Sequence, residues 1–188
     1  MTFASNTSGA SGVKVRRADE KDAAAIAALG STTFDQTFGH LFRDPQDLEH
    51  YLQATFDPKK IENSLGKRNN LYWLAFVDDL PVGYAKLKLD SPSAFIPSGR
   101  TCQLQKIYVE KAFLKQRIGH RLQAQLLEKA GQLKYEYIWL SVLNSNERAI
   151  KFYQKNGFQS IGNHDFQIGK ERFSFEAMML ELTRLKKT

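Results

Sequence analysis

The sequence predicts an α/β (α+β) chain: a single domain with a mixed central β-sheet flanked by helices on both faces. Three observations predict it. The chain has 188 residues, 42% hydrophobic and 25% charged, enough to bury one substantial core. Apolar runs of β-branched and aromatic residues alternate with runs of helical period. The later helical runs each stand between two strand-like runs, so some strands pair in parallel across a helix.

The opening "MTFASNTSGASG" is small and polar and is expected to be a flexible tail over residues 1–12, with the domain spanning 13–188. Val13 to Arg17 alternates as a first strand. Asp19 is an N-cap candidate for the helical "EKDAAAIAALGSTTF". "DPQDLEHYLQATF" and "DPKKIENSLG" each begin with an Asp cap followed by Pro, and Gly66 stops the second. The period then changes. "LYWLAFVDDLPVGYAKLKLD" reads as a hairpin turning at Asp78-Asp79. Residues 91–100 make a loop, and "TCQLQKIYVEKAF" is a strand ending near Glu110. From Gln116 to Gly131 the stripe Ile118, Leu122, Leu126, Ala130 and Leu133 marks a helix. "YIWLSVL" is a short buried strand, and "NSNERAIKFYQKNG" is a capped helix stopped by Gly157 at C′. "FQSIGNHDFQIG" and "FSFEAMMLEL" close the chain as a strand pair.

Several function classes are disfavoured. Cys102 is the single cysteine, which excludes an intramolecular disulfide and a multi-cysteine zinc site. His40, His50, His120 and His164 lack ligand spacing, so no metal site is expected. No apolar run approaches a membrane span, and the N-terminus lacks a signal-peptide pattern, so a cytoplasmic protein is expected. The formal charge of +7 admits a polyanionic partner, but the basic residues are dispersed. They form a solvated surface rather than the concentrated patch of a nucleic-acid binder.

"LKQRIGHRL", residues 114–122, follows a strand and opens a helix, where backbone N–H groups and the helix dipole hold phosphate. It carries one glycine, Gly119, where such turns carry two or three. Lys115, Arg117, His120 and Arg121 make it strongly basic.

This turn, the element order and the segment "NERAIKFYQKNGF" one strand later resemble the GNAT family of N-acetyltransferases over residues 13–182. The family's turn reads Gln/Arg-x-x-Gly-x-Gly/Ala. One register puts Leu114 on the first position, Arg117 on the first glycine and Gly119 on the last small position. The other starts at Gln116, matches Gly119 and puts Arg121 on the small position. The first is preferred because it keeps Leu122 in the core stripe. The turn keeps its donors if Arg117 has helical φ/ψ and points outward. Closer still is the PaiA-like polyamine-acetylating branch, through "TTFDQTFGHLF", "LQKIYVEKAF", "IWLSVLNSNERAIKFYQKNGF" and "GNHDFQIG". The chain departs from that branch at the glycine turn and at Phe175-Glu176, where the branch carries an Asp.

The resemblance implies acetyl-CoA as cosubstrate, no metal, and direct attack of a primary amine in a ternary complex. It implies that Lys115, Gln116, Arg117, Ile118, Gly119 and His120 hold the pyrophosphate. Ile107, Tyr108 and Val109 would offer backbone groups to pantetheine and the acetyl carbonyl, and Lys155 would touch the cofactor. Tyr153 would protonate the departing thiolate; Asn146, Ile150 and Tyr153 share one helix face at i, i+4 and i+7. An alkylamine is about 99.9% protonated at neutral pH, so the site needs a proton acceptor. Glu110 is the candidate base. His120 and His164 read as structural or surface residues, and Cys102 as buried packing. Asp35, Asp44, Asp47 and Glu49 would attract a cationic amine. The expected partner is a small amine such as a polyamine, with no nucleic acid or membrane, acting as monomer or homodimer. The alternatives are a protein N-terminus or lysine as acceptor, or a non-catalytic CoA-binding regulatory module.

Overall fold

A computed structural model describes residues 12–97 and 99–182; the expected tail therefore lies outside the described residues except for Gly12. The element order follows the sequence pattern. β1 (Lys14–Arg17) leads through a 3-10 turn at Glu20–Asp22 into α1 (Ala23–Phe38). Asp19 caps that turn, accepting from the Lys21 N–H while Asp22 reaches back to the Asp19 N–H. α2 (Pro45–Thr55) and α3 (Pro58–Leu65) begin at Asp44 and Asp57, whose carboxylates accept from the Gln46 and Lys60 N–H groups.

β2 (Asn70–Val77) and β3 (Leu80–Lys88) form the expected hairpin. Asp78 and Asp79 both have positive φ, 49° and 62°, the two-residue primed turn that matches strand twist. β4 (Thr101–Val109) is followed by a 3-10 turn at Lys111–Phe113 and α4 (Ile118–Gln132). Then come β5 (Tyr137–Leu143), α5 (Glu147–Lys155), β6 (Gln159–Ile168) and β7 (Glu171–Glu181). Gly157 at φ 86° ends α5, and the Phe158 N–H turns back to the Tyr153 carbonyl at 3.1 Å.

One seven-stranded sheet runs β1-β2-β3-β4-β5-β7-β6. Among the described residues only β4 and β5 pair in parallel. α4 lays Ile118, Leu122, Leu126 and Ala130, all fully buried, on one face together with Tyr153 and Phe158. Each such aliphatic contributes roughly 1.5–3 kcal/mol by leaving water. α1 and α3 cover the other face over Tyr72, Leu74 and Tyr84. A third cluster joins α1 and α2 to the tip of the β6–β7 hairpin through Phe34, Phe56 and Ile168. The helices thus lie on both faces, as the sequence predicts.

Candidate active site

The site begins where the sheet comes apart. β4 and β5 pair only through Thr101↔Tyr137, Cys102↔Ile138 and Gln103↔Trp139. Beyond that point β4 keeps β3 as its partner up to Val109, and β5 keeps β7 up to Leu143. The edges facing each other across the gap are unpaired, and a ligand with amide groups can join them as a strand would. The cause is local. Lys86 pairs with Lys106 but Leu87 pairs with Leu104, so Gln105 is an extra residue that bulges β4 and bends it away. Ile107, Tyr108 and Val109 lie on the bent stretch. Ile107 and Val109 pack toward α4, while Tyr108 packs among Phe56, Tyr84 and the α1 side.

The turn at the mouth of this gap corrects one expectation. Arg117 is not helical: it sits at φ 58°, ψ 19°, in the left-handed region, and α4 starts at Ile118 rather than Gln116. This is the conformation a glycine would adopt without cost, and here arginine carries it. α2, α3 and α5 have side-chain caps, but no side chain caps α4. The N–H groups of Ile118, Gly119 and His120 have no intrahelical acceptor and point out of the helix start. The donors survive through the strained turn. Gly119 is not sterically required, since an added Cβ would meet only Phe152 Cζ at 3.9 Å. Lys115, Gln116 and Arg117 are exposed around the turn, and the exposed His120 ring meets the Phe152 ring at 4.8 Å. Arg117, which the preferred register sets on the first glycine, thus has a conformation that glycine favours.

α5 forms the far wall. Asn146 is its N-cap, with Oδ1 accepting from the Ala149 N–H at 3.1 Å, which leaves its amide N–H groups for a ligand. Ile150 packs on the core. Tyr153 is 6% exposed and meets Phe152 and Phe158 edge-on at 5.2 and 5.5 Å. Burial holds its phenol well above the ordinary value, so it stays protonated. Lys155 is exposed in the last turn of α5, with no hydrogen bond or ion pair among the described residues. Cys102 is fully buried, and burial pushes its thiol up to about 12, which makes it a poor nucleophile.

On the α1 side, a groove of about 530 Å³ runs between α1, α2 and the start of α3. Ser31, Asp35, Glu49, Gln53, Phe56 and Asp57 line it. Asp35 and Glu49 thus face one groove. Asp44 and Asp47 do not. Asp44 caps α2 and pairs with Lys170 Nζ at 2.8 Å, and Asp47 accepts from the Lys170 N–H at 2.8 Å. Both carboxylates hold the hairpin tip rather than facing a substrate. Glu110 is half-buried beside the gap, with its N–H on the Val82 carbonyl at 2.9 Å.

Sequence reasoning passed over two features. Lys106 projects over the Phe56 and Tyr108 rings at 5.2 and 5.5 Å, with no hydrogen bond or ion pair among the described residues. Burial lowers it to about 8. His164, set aside as a lone histidine, bonds through Nε2 to Ser141 Oγ at 2.8 Å. Neither signal exists in one dimension. The Lys106 environment depends on the bulge, and the Ser141–His164 pair on β7 lying between β5 and β6. No group of three or more His, Cys, Asp or Glu among the described residues is placed to hold a metal ion. None of the described helices is long and apolar enough to cross a membrane.

Known proteins give the same picture. Residues 34–158 match the model of the acetyltransferase (GNAT) family. An N-acetyltransferase of Lactobacillus delbrueckii subsp. lactis is 28% identical over 161 residues, covering 86% of this chain and 92% of that one. Among solved structures, the PaiA N-acetyltransferase of Thermoplasma acidophilum in complex with coenzyme A superposes with a TM-score of 0.71. Its identity is 18%, over 90% of this chain and 99% of that one. A ribosomal-protein-alanine N-acetyltransferase of Brucella melitensis gives a TM-score of 0.64 at 20% identity, over 89% and 99% of the two chains.

Proposed function

We infer, from the premise that this chain belongs to the acetyltransferase (GNAT) family, that it acetylates a small-molecule primary amine by direct attack in a ternary complex. Acetyl-CoA-dependent N-acetyl transfer is the family's reaction and this enzyme's; the acceptor and the residue roles are the inference. The observation that carries them is the open gap between β4 and β5, with an uncapped helix start at its mouth and a protonated phenol in its wall.

The N–H groups of Ile118, Gly119 and His120 receive the pyrophosphate, with Lys115, Gln116 and Arg117 adding charge and hydrogen bonds around it. Backbone groups of Ile107, Tyr108 and Val109 line the pantetheine arm. One of their N–H groups meets the oxygen that turns anionic as the amine adds to the acetyl carbon. Asn146 gives an amide N–H to the same arm, and Lys155 closes the exposed end. Tyr153 supplies the proton that the departing thiolate takes up.

A small amine, a polyamine foremost, is favoured by the groove. Its acids Asp35 and Glu49 stand at the surface, and its floor is the Phe56 ring. The carboxylates draw in a cation, and the ring accommodates its methylene chain. A protein N-terminus is the second reading, since a relative of the same fold carries that activity in its name.

The test is thiol release from acetyl-CoA by the purified protein with spermidine, against a peptide beginning with alanine. Calorimetry with acetyl-CoA and desulfo-CoA runs beside it. Micromolar cofactor binding and turnover of spermidine without peptide are expected. Turnover of the peptide alone would move the acceptor to proteins. Absent cofactor binding would make the chain a non-catalytic relative.

A further inference from the structure

The reaction requires a proton acceptor. Glu110 lies beside the gap, and among the described residues no hydrogen bond or ion pair orients its carboxylate there. On the acceptor side of the same gap stands a histidine held in a defined position. We propose that His164, acting through the hydroxyl of Ser141, takes the proton that the acceptor amine must lose before attack. This rests on the reading of the chain as a small-amine acetyltransferase.

Ser141 lies on β5 beyond Trp139, in the stretch that no longer pairs with β4. Ile138, Leu140 and Val142 point into the α4 core, so Ser141 and Trp139 point to the opposite face. That is the face where Tyr108, Phe56 and the groove lie. His164 comes from β6, two strands away, and reaches Ser141 across β7 with Nε2 at 2.8 Å from Oγ. Two aromatic rings neighbour the imidazole. Phe175 stacks on it at 5.5 Å with a 10° interplanar angle, and Phe95 lies at 6.5 Å. Phe95 can sit there because residue 162 is glycine: a Cβ would strike its ring. β6 also carries a register shift between Ser160 and Gly162, one more local adjustment that aims His164 inward. Both partners stay half-buried, reachable from the gap yet partly shielded from bulk water.

The charged groups around the ring are few. Asp165 is the next residue on β6, and it is already engaged by Ser174 Oγ at 2.6 Å and Arg172 at 2.7 Å. Glu176 lies on β7 opposite Asn163. Neither Ser141 nor Phe95, from the other two packed elements, is charged. Among the described residues no carboxylate is hydrogen-bonded to the imidazole, whose one bonded partner is Ser141 Oγ.

The step balances. The ammonium gives one proton through Ser141 Oγ to His164 Nε2, and the neutral amine attacks the acetyl carbon. The N–C bond forms and the C–S bond breaks. The second nitrogen proton replaces the one Tyr153 gives to sulfur. The products are the amide, the CoA thiol and one proton passed from His164 to solvent.

The experiment is the pH dependence of kcat/KM for spermidine in the wild type, His164→Gln and Ser141→Ala, with acetyl-CoA affinity measured for each. Cofactor affinity should hold in all three, which verifies folding. His164→Gln should lose about 10²-fold at pH 7, and Ser141→Ala should lose in the same direction. The deficit should close to within about tenfold by pH 9.5, where far more of the amine is already neutral. A purely structural histidine would give a pH-independent deficit, and that result overturns the proposal, as does full activity of His164→Gln at pH 7. Wild-type inactivity toward spermidine would instead count against the small-amine reading, before the variants are compared.

Discussion

Leu104 and Lys106, two residues apart on β4, point to opposite faces of the sheet. An unbroken strand would put them on the same face. The extra residue Gln105 reverses the alternation, sending Leu104 into the α4 core and Lys106 toward Phe56 and Tyr108. The same bulge parts β4 from β5. One inserted residue thus stands where β4 and β5 part and turns a half-buried lysine onto two aromatic rings.

That lysine should cost stability at neutral pH. Burial lowers Lys106 from 10.5 to about 8. Below about pH 8 it is charged folded and unfolded alike, and the folded state bears the desolvation. Between about 8 and 10.5 the unfolded chain binds more protons, so stability rises with pH. Lys106→Met should therefore stabilise the protein at pH 7 by about 1–3 kcal/mol, with the gain disappearing above pH 10.5. Urea unfolding at pH 7 and pH 10.5 measures this; an unchanged midpoint at pH 7 would refute it.

Arg117→Gly tests the strained turn. A non-glycine left-handed residue costs roughly 1–2 kcal/mol, and glycine's extra freedom in the unfolded chain returns part of that. A net gain of about 0.5–1 kcal/mol in thermal unfolding is expected. Acetyl-CoA affinity should stay within about tenfold, because the helix N–H groups outlast the loss of one exposed charge. A hundredfold loss would mean that the guanidinium, and not the backbone, holds the phosphate.

The fold was legible because its signals are local. Asp-Pro starts mark α2 and α3, Asp78-Asp79 marks the hairpin, Gly157 stops α5, and the Leu122–Leu126 stripe marks α4. The α4 start was misplaced by two residues because its N-cap is an arginine in a conformation that sequence assigns to glycine. Asp44 and Asp47 were misread for a different reason. Composition shows acids in an early helix, but their partner Lys170 is over 120 positions away. Tertiary pairing of that range leaves no periodic trace, and the same holds for Ser141 with His164.

The Lys170 link is a further prediction. Lys170 beside Asp44 holds that carboxyl below its usual range. A depressed carboxyl stabilises above its unfolded value and loses that contribution as pH falls through the folded one. The amide hydrogens of the hairpin tip around residues 165–172 should therefore have higher protection factors, taken against intrinsic exchange at each pH, at pH 7 than in acid. Lys170→Ala should show the lowered protection already at neutral pH, with core protection unaltered. Because the tip is tied to α2, which lines the groove, KM for the amine should rise while acetyl-CoA affinity holds. Equal protection in variant and wild type would show that the remaining contacts, Phe173 on Phe42 at 5.2 Å, Arg43 with Glu171 and the Lys170 N–H on Asp47, hold the tip without the ammonium.

Tyr153→Phe separates binding from chemistry. The ring is packed between Phe152 and Phe158, and phenylalanine keeps that packing, so stability and acetyl-CoA affinity should stay near wild type. What is removed is a proton. Burial keeps the phenol protonated throughout the working range, as the proposed proton donor must be. Without it the thiolate must leave unprotonated or take a proton from water, and kcat should fall about 10²-fold. The sign of the pH dependence follows from the same burial. An acid whose value is raised is not lost on the alkaline side, so wild-type kcat should show no descending limb up to about pH 10. A descending limb below that pH would assign the acid to another group. A variant that loses cofactor affinity and kcat together would recast Tyr153 as a wall of the pantetheine channel.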